Sequence, residues 1–379
     1  MKILIDYSVM CHLSWHCMRS PNYEARTDIE ISEFSRTLAG NLLYYKERFK
    51  PEEIILALDS REGYWRHDIV KKYYEGHTKI YKYFNTLEDK TKVVAYGLQF
   101  DGKSYVIDFF SAPKKWIIKK LTKGELSDLA QTFSTKNQIK YSEAPEKILK
   151  FVPTYKGNRK TSSWDYSTTR EEWHNLCEKI AYNLAYTLGA KVISTPKAEA
   201  DDIAKVYSDV HSSEDMVFIT TDSDWSQLLI DTMFLKIYIP SKREWLDITP
   251  EQAELDLATK IIAGDTSDNI SAVNFEGQAN VGPAKAKALI IEHGVSGIYD
   301  YLAENAQSDS LNKNYQLIFL NNIPSKLEKQ IRKTLETTKV VKKNILYPLS
   351  KYGLEPADII SISAQAKLDI EIDTLLGKE

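Results

Sequence analysis

A short apolar run that leads into carboxylates occurs four times along this chain. The clearest case is Met216–Ile219, which is followed by Asp222 and Asp224, and Ser223–Leu229 then has the pattern of a helix start. Apolar runs of this length are typical of buried strands. In an open α/β sheet, ligands bind beyond the carboxyl ends of the strands. The run therefore predicts a strand that carries Asp222 and Asp224 into a binding crevice.

Three further runs have the same form. One ends at Asp6, a second, Ile54–Leu58, precedes Asp59, and a third, Lys191–Ser194, precedes an acidic segment. The acids of that segment are Glu199, Asp201 and Asp202. Taken singly, such acids are ordinary helix caps or complements of a helix dipole. Their repetition favours a parallel βαβ array, in which right-handed connections bring the strand ends to one rim.

Carboxylates on one rim repel one another unless cations lie between them. Farther along, Asp265 and Asp268 are spaced i, i+3, so one helical turn would place both on the same face. Oxygen ligands select Mg²⁺ or Mn²⁺, and two metals about 3.5–4 Å apart are the usual arrangement for phosphodiester hydrolysis. The candidate metal ligands are Asp6, Asp59, Glu199, Asp201, Asp202, Asp222, Asp224, Asp265 and Asp268.

Composition sets wider limits. The chain has 379 residues, 43% of them hydrophobic, which suffices for one large domain and a smaller one. It has neither a signal-peptide pattern nor an apolar run of transmembrane length, and its three cysteines indicate a reducing, cytoplasmic location. The net charge of −3 does not point to nucleic-acid binding, although metals would offset part of the acid count. Cys11–Cys17 contains two histidines, but zinc ligands usually come from two separated pairs, so helix packing is favoured over a zinc site.

Two segments could hold phosphates. Phe151–Lys160 contains clustered cations, although a run this short is more often a solvated face. These cations are Lys156, Arg159 and Lys160, and Arg170 follows a little farther along the chain. Asn280–Ala286 is a glycine turn with Pro283 at the first helical position, and its backbone N–H groups could bind a phosphate. An ordinary helix start explains the second segment equally well.

As an ordered set, these motifs resemble the structure-specific 5′ nucleases, or flap endonucleases, and within that family its bacteriophage ribonuclease H branch. The motifs are Leu4-Ile5-Asp6, Asp59 with Gly63-Tyr64-Trp65-Arg66, Tyr155-Lys156-Gly157-Asn158-Arg159, Glu199-Ala200-Asp201-Asp202, Asp222-Ser223-Asp224, Gly264-Asp265 with Asp268-Asn269, and Gly282 with Lys285. The resemblance covers roughly residues 1–66 and 151–295. There are two departures from the family pattern. Residues 67–150, with a predicted hairpin from Lys92 to Phe110, interrupt it, and Val281-Gly282-Pro283 supplies one glycine where the family commonly has two.

The resemblance implies an α/β fold: a PIN-like or Rossmann-like, twisted, mainly parallel sheet with flanking helices. It implies a nuclease domain over 1–248, interrupted at 67–150 by a subdomain near the gateway for the 5′ end. A helical C-terminal domain over 249–379 would carry a helix-hairpin-helix-type (helix-three-turn-helix) element at about 264–295.

Roles also follow from the resemblance. One metal would be held by Asp6, Asp59, Asp201 and Asp222, and the other by Asp224, Asp265 and Asp268, partly through water. Glu199 and Asp202 would be additional ligands. The ions would be two Mg²⁺, with Mn²⁺ as a substitute. Lys156, Arg159 and Arg66 would be catalytic cations at the scissile phosphate, and the nucleic-acid contacts would be Tyr155, Asn158, Lys160, Gly282, Lys285 and Lys287.

The implied activity is 5′-3′ exonuclease and flap endonuclease cleavage, with ribonuclease H activity on RNA–DNA hybrids, for the removal of replication primers and flaps. The implied partners are branched or nicked DNA with a 5′ flap and RNA–DNA hybrids, with a sliding clamp or single-strand-binding protein as further candidates. A monomer without membrane contact is expected, in the host cytoplasm if a phage encodes it. Two alternatives stay open: a metal-dependent phosphatase or nucleotide hydrolase, and a non-catalytic nucleic-acid-binding protein on the same scaffold.

Overall fold

The structure is a computed structural model. It describes residues 1–17, 28–77, 79–84, 93–100, 103–108, 117–121, 136–139, 154–157, 170–275, 281–340, 350, 353–375 and 377. Three predicted site residues, Asn158, Arg159 and Lys160, lie outside these ranges, as does the predicted hairpin turn at Asp101-Gly102.

The elements alternate between strand and helix along much of the chain. The strands are β1 (Lys2–Asp6), β2 (Glu53–Ala57), β3 (Lys79–Phe84), β4 (Val93–Phe100), β5 (Lys103–Asp108), β6 (Ile117–Leu121), β7 (Lys136–Ile139), β8 (Lys191–Ile193), β9 (Met216–Ile219), β10 (Leu235–Ile239) and β11 (Glu244–Trp245). The α-helices are α1 (Tyr7–Cys17), α2 (Asp28–Phe49), α3 (Trp65–His77), α4 (Arg170–Leu188), α5 (Ala200–Val210), α6 (Pro250–Ala263), α7 (Pro283–Asn305), α8 (Ser308–Ile318), α9 (Ser325–Thr337) and α10 (Pro356–Leu375). Ser223–Leu229 and Leu320–Asn322 are 3₁₀ helices. No helix in the described ranges is long and apolar enough to cross a bilayer.

The chain divides into two compact units. Unit 1 comprises residues 1–65, 160–258 and 319–379, and unit 2 comprises 66–159 and 259–318. This division differs from the predicted boundary at 248, because residues 319–379 belong with the first unit. There α10 lies against α2, and the Tyr44 hydroxyl donates to Asp373 Oδ2 over 2.7 Å.

Unit 1 is built on a mainly parallel sheet. Among its described residues six strands are ordered β11-β10-β9-β1-β2-β8, and the pairs β10–β9, β9–β1, β1–β2 and β2–β8 are all parallel. The apolar residues of β1 and β9 are buried, as their unbroken hydrophobic runs predict for strands covered on both faces. The short antiparallel strand β11 ends the sheet on one side. The predicted mixed, mainly parallel α/β architecture is therefore confirmed.

The strand order decides where the acids of unit 1 lie. The four strands that lead into acids, β9, β1, β2 and β8, are adjacent in the sheet and run in the same direction. Their carboxyl ends therefore share one edge, as the repeated sequence pattern predicts. Helices cover the sheet, and the core includes Phe34 and Leu38 of α2 and Ile180 and Leu184 of α4.

Unit 2 contains an antiparallel sheet. In the described part of this unit five strands are ordered β6-β5-β4-β3-β7, and every neighbouring pair is antiparallel. The predicted hairpin corresponds to β4 and β5, paired from Ala95–Asp108 to Phe100–Lys103. The same unit holds α3, α7 and α8, and α7 begins with Pro283 after Gly282, as the glycine–proline pair predicts. The helix-three-turn-helix element stays a prediction.

Candidate functional site

Asp6 lies at the centre of the acidic edge of unit 1. It is the last residue of β1 and is only 5% exposed. Its Oδ1 accepts the Val9 N–H over 3.1 Å, at the start of α1, and its Oδ2 accepts the Thr220 hydroxyl over 3.0 Å. Both carboxylate oxygens are thus oriented by donors from α1 and from the end of β9.

Asp59 follows β2 and is held in a similar way. The Ser8 hydroxyl donates to its Oδ2 over 3.0 Å, and the Ala200 N–H donates to its Oδ1 over 2.9 Å. Because Ala200 is the first residue of α5, this contact places the carboxylate at a helix N-terminus, where negative charge is favoured.

Asp222 and Asp224 extend the acidic edge beyond β9. Asp222 is the N-cap of the 3₁₀ helix Ser223–Leu229, and its Oδ1 accepts the Asp224 N–H over 2.9 Å. Its own N–H donates to the Thr220 hydroxyl over 3.0 Å, so Thr220 connects Asp222 with Asp6. The indole N–H of Trp225, a fully buried residue, donates to Asp201 Oδ1 over 3.3 Å.

The electrostatics of this edge are unfavourable for charge on Asp6. Burial raises the pKa of its carboxyl well above the ordinary value, and repulsion by Asp59, Asp201 and Asp222 raises it further, against the lowering effect of the Val9 N–H. The four acids that share this field are the four predicted to hold one metal.

The ligand chemistry of these side chains suits a hard divalent cation, although among the described side chains these four acids do not form a group whose oxygens all lie within 4.8 Å of one another. The donors are carboxylate oxygens, which suit Mg²⁺ or Mn²⁺, and a cation there would offset the repulsion that raises the pKa of Asp6. Sequence reasoning missed the hydroxyls of Ser8 and Thr220 and the Trp225 indole that orient these acids. The only local sequence signal for the role of Trp225 is that it directly follows Asp224.

Glu199 and Asp202 have a structural role at the start of α5. Glu199 is the N-cap, and its N–H donates to Asp202 Oδ2 over 2.9 Å in a capping box. The same oxygen accepts the Trp65 indole N–H over 3.1 Å, and Asp202 is fully buried. Asp202 Oδ2 is thus occupied by a helix cap and an indole, which favours a structural role for Asp202. Its role as a metal ligand stays a prediction.

The remaining predicted ligands, Asp265 and Asp268, lie in unit 2. They are in a turn closed by mutual backbone hydrogen bonds between Asp265 and Ile270, not in the helical turn that their spacing suggested. Asp265 Oδ2 pairs with Lys260 Nζ at 2.7 Å, and its Oδ1 accepts the Ser267 N–H and hydroxyl. Burial raises the pKa of Asp265, but Lys260 and Ser267 outweigh it, so the pKa is lowered.

Lys260 was not predicted, although a cation in the last turn of α6 is an ordinary complement of a helix dipole. Asp268 accepts the Tyr155 hydroxyl over 2.9 Å and lies 3.9 Å from Lys156 Nζ. The Lys156 N–H also donates to the Asp268 carbonyl over 2.8 Å. The predicted Tyr155-Lys156 motif is thus joined to the Asp268 turn. A second metal that draws on Asp224 together with Asp265 and Asp268 stays a prediction.

Gly264, which precedes this turn, is expected to tolerate no side chain. Its φ is +74°, and a Cβ there would meet the Ile270 carbonyl oxygen at 2.4 Å and the Ser271 carbonyl carbon at 2.5 Å. Gly264→Ala should lower the free energy of unfolding by about 2 kcal/mol or more, since the left-handed backbone alone disfavours a Cβ by about 1–2 kcal/mol. Urea denaturation followed by circular dichroism measures this.

The matched control is Gly282→Ala. Gly282 has φ −76°, and nothing lies within 4 Å of the added Cβ. Its alanine variant should lower the free energy of unfolding by no more than about 1 kcal/mol, because alanine is less favoured than glycine at an N-cap but meets no clash there and removes no side-chain hydrogen bond. Equal stability of the two variants would contradict the strain assigned to Gly264.

Arg66 is buried instead of facing solvent. It is 1% exposed, and its Nε donates to the Leu317 carbonyl over 3.0 Å within unit 2. This environment favours a role in holding α3 to the end of α8, and contact with a scissile phosphate stays a prediction. Lys285 and Lys287, in contrast, are exposed in the first two turns of α7, after an N-cap at Gly282 that makes no side-chain hydrogen bond.

The first helix packs on the core of unit 1, and the preference for packing over zinc there stays a prediction. Cys11 is buried in the core of unit 1, where the Tyr7 hydroxyl donates to the Cys177 carbonyl over 2.9 Å. Among the side chains that the structure describes, Cys11 and His12 belong to no group of three possible metal ligands. The side chain of Cys17 lies outside the described set.

No family model matches the chain. A curated relative, the ribonuclease H of Enterobacteria phage T4, is 31% identical over 129 residues, which are 32% of this chain and 41% of that protein. The chain thus spans 41% of the length of this relative.

Two solved structures are also similar in part. A phage T5 5′-exonuclease with bound zinc is 17% identical with a TM-score of 0.45, over 96% of this chain and 100% of that one. Flap endonuclease-1 from Methanococcus jannaschii is 11% identical with a TM-score of 0.41, over 96% and 93%. TM-scores this low do not establish a common fold. The resemblance that the motifs indicated is confirmed by sequence, over 129 residues shared with a phage ribonuclease H.

Proposed function

We propose that this chain is a metal-dependent 5′ nuclease. It would hydrolyse phosphodiester bonds at 5′ ends and 5′ flaps of DNA and of RNA–DNA hybrids, and so remove replication primers and flaps. The observation that supports this best is the electrostatic influence of Asp59, Asp201 and Asp222 on Asp6, since these four acids follow four adjacent parallel strands in the chain. The sequence match to a phage ribonuclease H adds independent support.

In this proposal Asp6, Asp59, Asp201 and Asp222 hold a divalent ion, with Mg²⁺ as the expected species and Mn²⁺ as a substitute. Asp224, Asp265 and Asp268 are proposed for a second ion. Bound divalent ions supply a water of lowered pKa and offset the charge that develops on the phosphate. The chain's own contribution is orientation: Val9 and Thr220 fix the oxygens of Asp6, and Ser8 and the α5 N-terminus fix those of Asp59.

The nucleic acid would be bound by cations and helix ends. Lys285 and Lys287 are exposed beside the N-terminus of α7, where backbone N–H groups and lysines can both contact phosphates of a duplex. Lys156 and Arg159 are proposed to bring positive charge to the scissile phosphate. Tyr155 is 3% exposed and bonded to Asp268, which supports a positioning role for it instead of direct base contact.

The test is cleavage of a 5′-labelled flap substrate beside a single strand and a blunt duplex. We expect Mg²⁺-dependent release of short 5′ fragments from the flap, weaker cleavage of the other two, and Ca²⁺ binding without cleavage. Full activity in excess chelator would contradict a metal-dependent mechanism.

The same assay separates the two alternatives. A phosphatase or nucleotide hydrolase would release inorganic phosphate from mononucleotides and leave the flap intact. A non-catalytic binding protein would retain the flap in a mobility-shift gel and cut nothing at any Mg²⁺ concentration.

A further inference from the structure

A cavity of about 360 Å³ opens on the surface of unit 1 beside the loop between β8 and α5. Trp65 and Leu327 of α9 are its most buried lining residues, and Pro196 and Pro324 add apolar walls. Its volume lies in the range of about 300–1,000 Å³ that small-molecule sites have. The cavity therefore has room for one flat organic group and offers it an apolar surface.

This cavity lies at the edge of the sheet that carries the acids. Pro196 and Lys197 belong to the loop that follows the carboxyl end of β8. The Trp65 indole N–H donates to Asp202 over 3.1 Å, and Asp202 directly follows Asp201 in α5. A nucleic-acid strand bound at the acidic edge would thus meet the cavity on the same side of unit 1.

Lys197 lines the cavity in an unusual backbone conformation. Its φ is +65°, in the left-handed region that residues with a Cβ rarely adopt. Its N–H donates to the Ser60 hydroxyl over 2.9 Å, and its carbonyl accepts the Trp65 N–H over 3.1 Å. Such strained residues cluster at binding sites. Because glycine adopts this conformation more readily, the presence of lysine favours a role for its side chain.

A row of exposed lysines, here called the lysine stripe, continues from the cavity along α9. It consists of Lys326, Lys329 and Lys333, which recur at three- and four-residue spacing and therefore lie along one side of the helix. The stripe spans about 10 Å of helix, close to the rise of three nucleotides of a DNA strand at about 3.4 Å each. α9 carries four basic residues against two acids, in a chain whose net charge is −3. The stripe is therefore complementary to phosphates.

The neighbouring acids leave this charge in place. Glu62 is the one acid that lines the cavity, where Lys197 and Lys326 oppose it. Glu328 pairs with Arg332 at 2.8 Å, so these two residues offset each other. An acidic peptide would match the lysines alone, whereas a nucleic-acid strand supplies both regularly spaced phosphates and a flat base for the cavity. Bases contact aromatic side chains favourably whatever their sequence.

We propose that the cavity binds the base of an unpaired nucleotide and that the lysine stripe and Lys197 bind its neighbouring phosphates. This site rests on the proposed function, because it takes the substrate to be a nucleic acid. It adds a contact in unit 1 that is separate from the proposed duplex contacts of Lys285 and Lys287. A paired base cannot enter without leaving its stack, so the site distinguishes unpaired from paired strands.

Binding of a labelled oligothymidylate across a salt series tests the lysine stripe, with Ca²⁺ in place of Mg²⁺ to prevent cleavage. The variant combines Lys326→Ala, Lys329→Ala and Lys333→Ala. We expect it to bind at least about tenfold more weakly than the wild type at about 0.1 M salt. The slope of log affinity against log salt should fall in magnitude by roughly 2, since each phosphate contact on a single strand contributes about 0.7. Fluorescence anisotropy measures both quantities.

Lys197→Ala and Lys50→Ala form a matched pair of single variants. Both lysines are exposed and have a positive φ, +65° and +44°, so each replacement keeps a Cβ in the same kind of conformation. Lys50 precedes β2, however, and therefore lies at the opposite edge of the sheet. Lys197→Ala should weaken binding by about threefold or more, and Lys50→Ala should leave it within about twofold.

An abasic oligonucleotide of equal length tests the cavity, because it keeps the phosphates and lacks the bases. The wild type should bind the oligothymidylate at least about fivefold more tightly than the abasic strand. Only the oligothymidylate should quench tryptophan emission, and Trp65→Phe should lose that part of the quenching. Circular dichroism checks the fold of Trp65→Phe, because its hydrogen bond to Asp202 is lost.

Three results would overturn the site. They are a wild type that does not bind the oligothymidylate, an unchanged salt slope in the triple variant, and equal binding of the thymidylate and abasic strands. Flap cleavage in Mg²⁺, measured on the same proteins, separates this outcome from failure of the proposed function. Cleavage combined with an unchanged slope would remove the site alone, and a reduced slope without any cleavage would remove the nuclease activity alone.

Discussion

Asp222→Asn is expected to lower the rate of flap cleavage by roughly 10³-fold or more, because the several kcal/mol that a bound metal contributes to the transition state are lost with its ligand. The fold should be unaffected. Asp222 acts as an N-cap through an oxygen that accepts the Asp224 N–H, and asparagine caps helices equally well. Single-turnover kinetics on a 5′ flap at saturating enzyme measures the loss apart from binding.

The control for this variant is Asp247→Asn. Asp247 is also an exposed acid that follows a strand, but β11 is antiparallel to its neighbour, so its end lies at the opposite edge of the sheet. Its asparagine variant should cleave within about twofold of the wild type. Wild-type turnover in Asp222→Asn would reject the assignment of the acidic edge as the catalytic site. DNA affinity of Asp222→Asn should be equal or higher, because one repelling charge is removed.

Asp6→Asn is expected to abolish cleavage and yet to stabilise the metal-free protein at neutral pH, because the charged form of Asp6 is disfavoured in the folded protein. The oxygen of asparagine can still accept the Val9 N–H, and its amide can donate to the Thr220 hydroxyl in place of the bond that this hydroxyl donates to Asp6. The repulsion from Asp59, Asp201 and Asp222 is removed.

The contribution of Asp6 to the stability of the folded protein changes with pH in a definite direction. Because the pKa of Asp6 is raised in the folded protein, the folded state binds its proton more tightly than the unfolded state does. The stability that this proton brings is complete below the unfolded value of 3.8 and is lost as the pH rises through the folded value. In chelator, the gain in melting temperature from Asp6→Asn should therefore grow with rising pH above about 4. Saturating Mg²⁺ should remove or reverse that gain, because the wild type alone binds the ion fully.

Asp265→Asn is the matched contrast, because the pKa of Asp265 is shifted in the opposite direction from that of Asp6. Its pKa is lowered in the folded protein, because Lys260 and Ser267 outweigh burial. Its charge thus stabilises the fold above the unfolded value of 3.8, and this contribution is lost as the pH falls through the folded value. Asp265→Asn should accordingly lower the melting temperature at neutral pH. A loss of stability in Asp6→Asn would contradict the repulsion assigned to the acidic edge.

The sheet of unit 1 could be predicted because its strands have a simple sequence pattern. β1 and β9 are continuous apolar runs with an acid just beyond, and parallel pairing puts such ends at one edge whatever the order of the strands. The grouping of Asp6 with Asp59, Asp201 and Asp222 follows from that geometry and from the family resemblance, without knowledge of any side-chain contact.

The exact environment of each acid could not be predicted, because it depends on partners remote in sequence. Asp202 has the same residue type as Asp201 and follows it directly in sequence. The indole N–H of Trp65, 137 residues earlier, nevertheless donates a hydrogen bond to Asp202. Asp265 and Asp268 have helical spacing, but Gly264 with its positive φ ends the helix before them. The division into units was missed because the packing of α10 on α2 has no local sequence signal.

The placement of β1 in the middle of the sheet has a consequence for how the chain folds. β1 pairs with β2 on one side and with β9, more than two hundred residues later, on the other. The chain loses conformational entropy when it closes so long a loop, and it does so before the β1–β9 hydrogen bonds form to offset that loss. Sheets rich in such distant contacts therefore form slowly. During synthesis the first strand must wait with one edge open until β9 has left the ribosome. A partly made chain would therefore expose a bare, apolar strand edge, which is where chaperones and aggregation compete for a nascent protein.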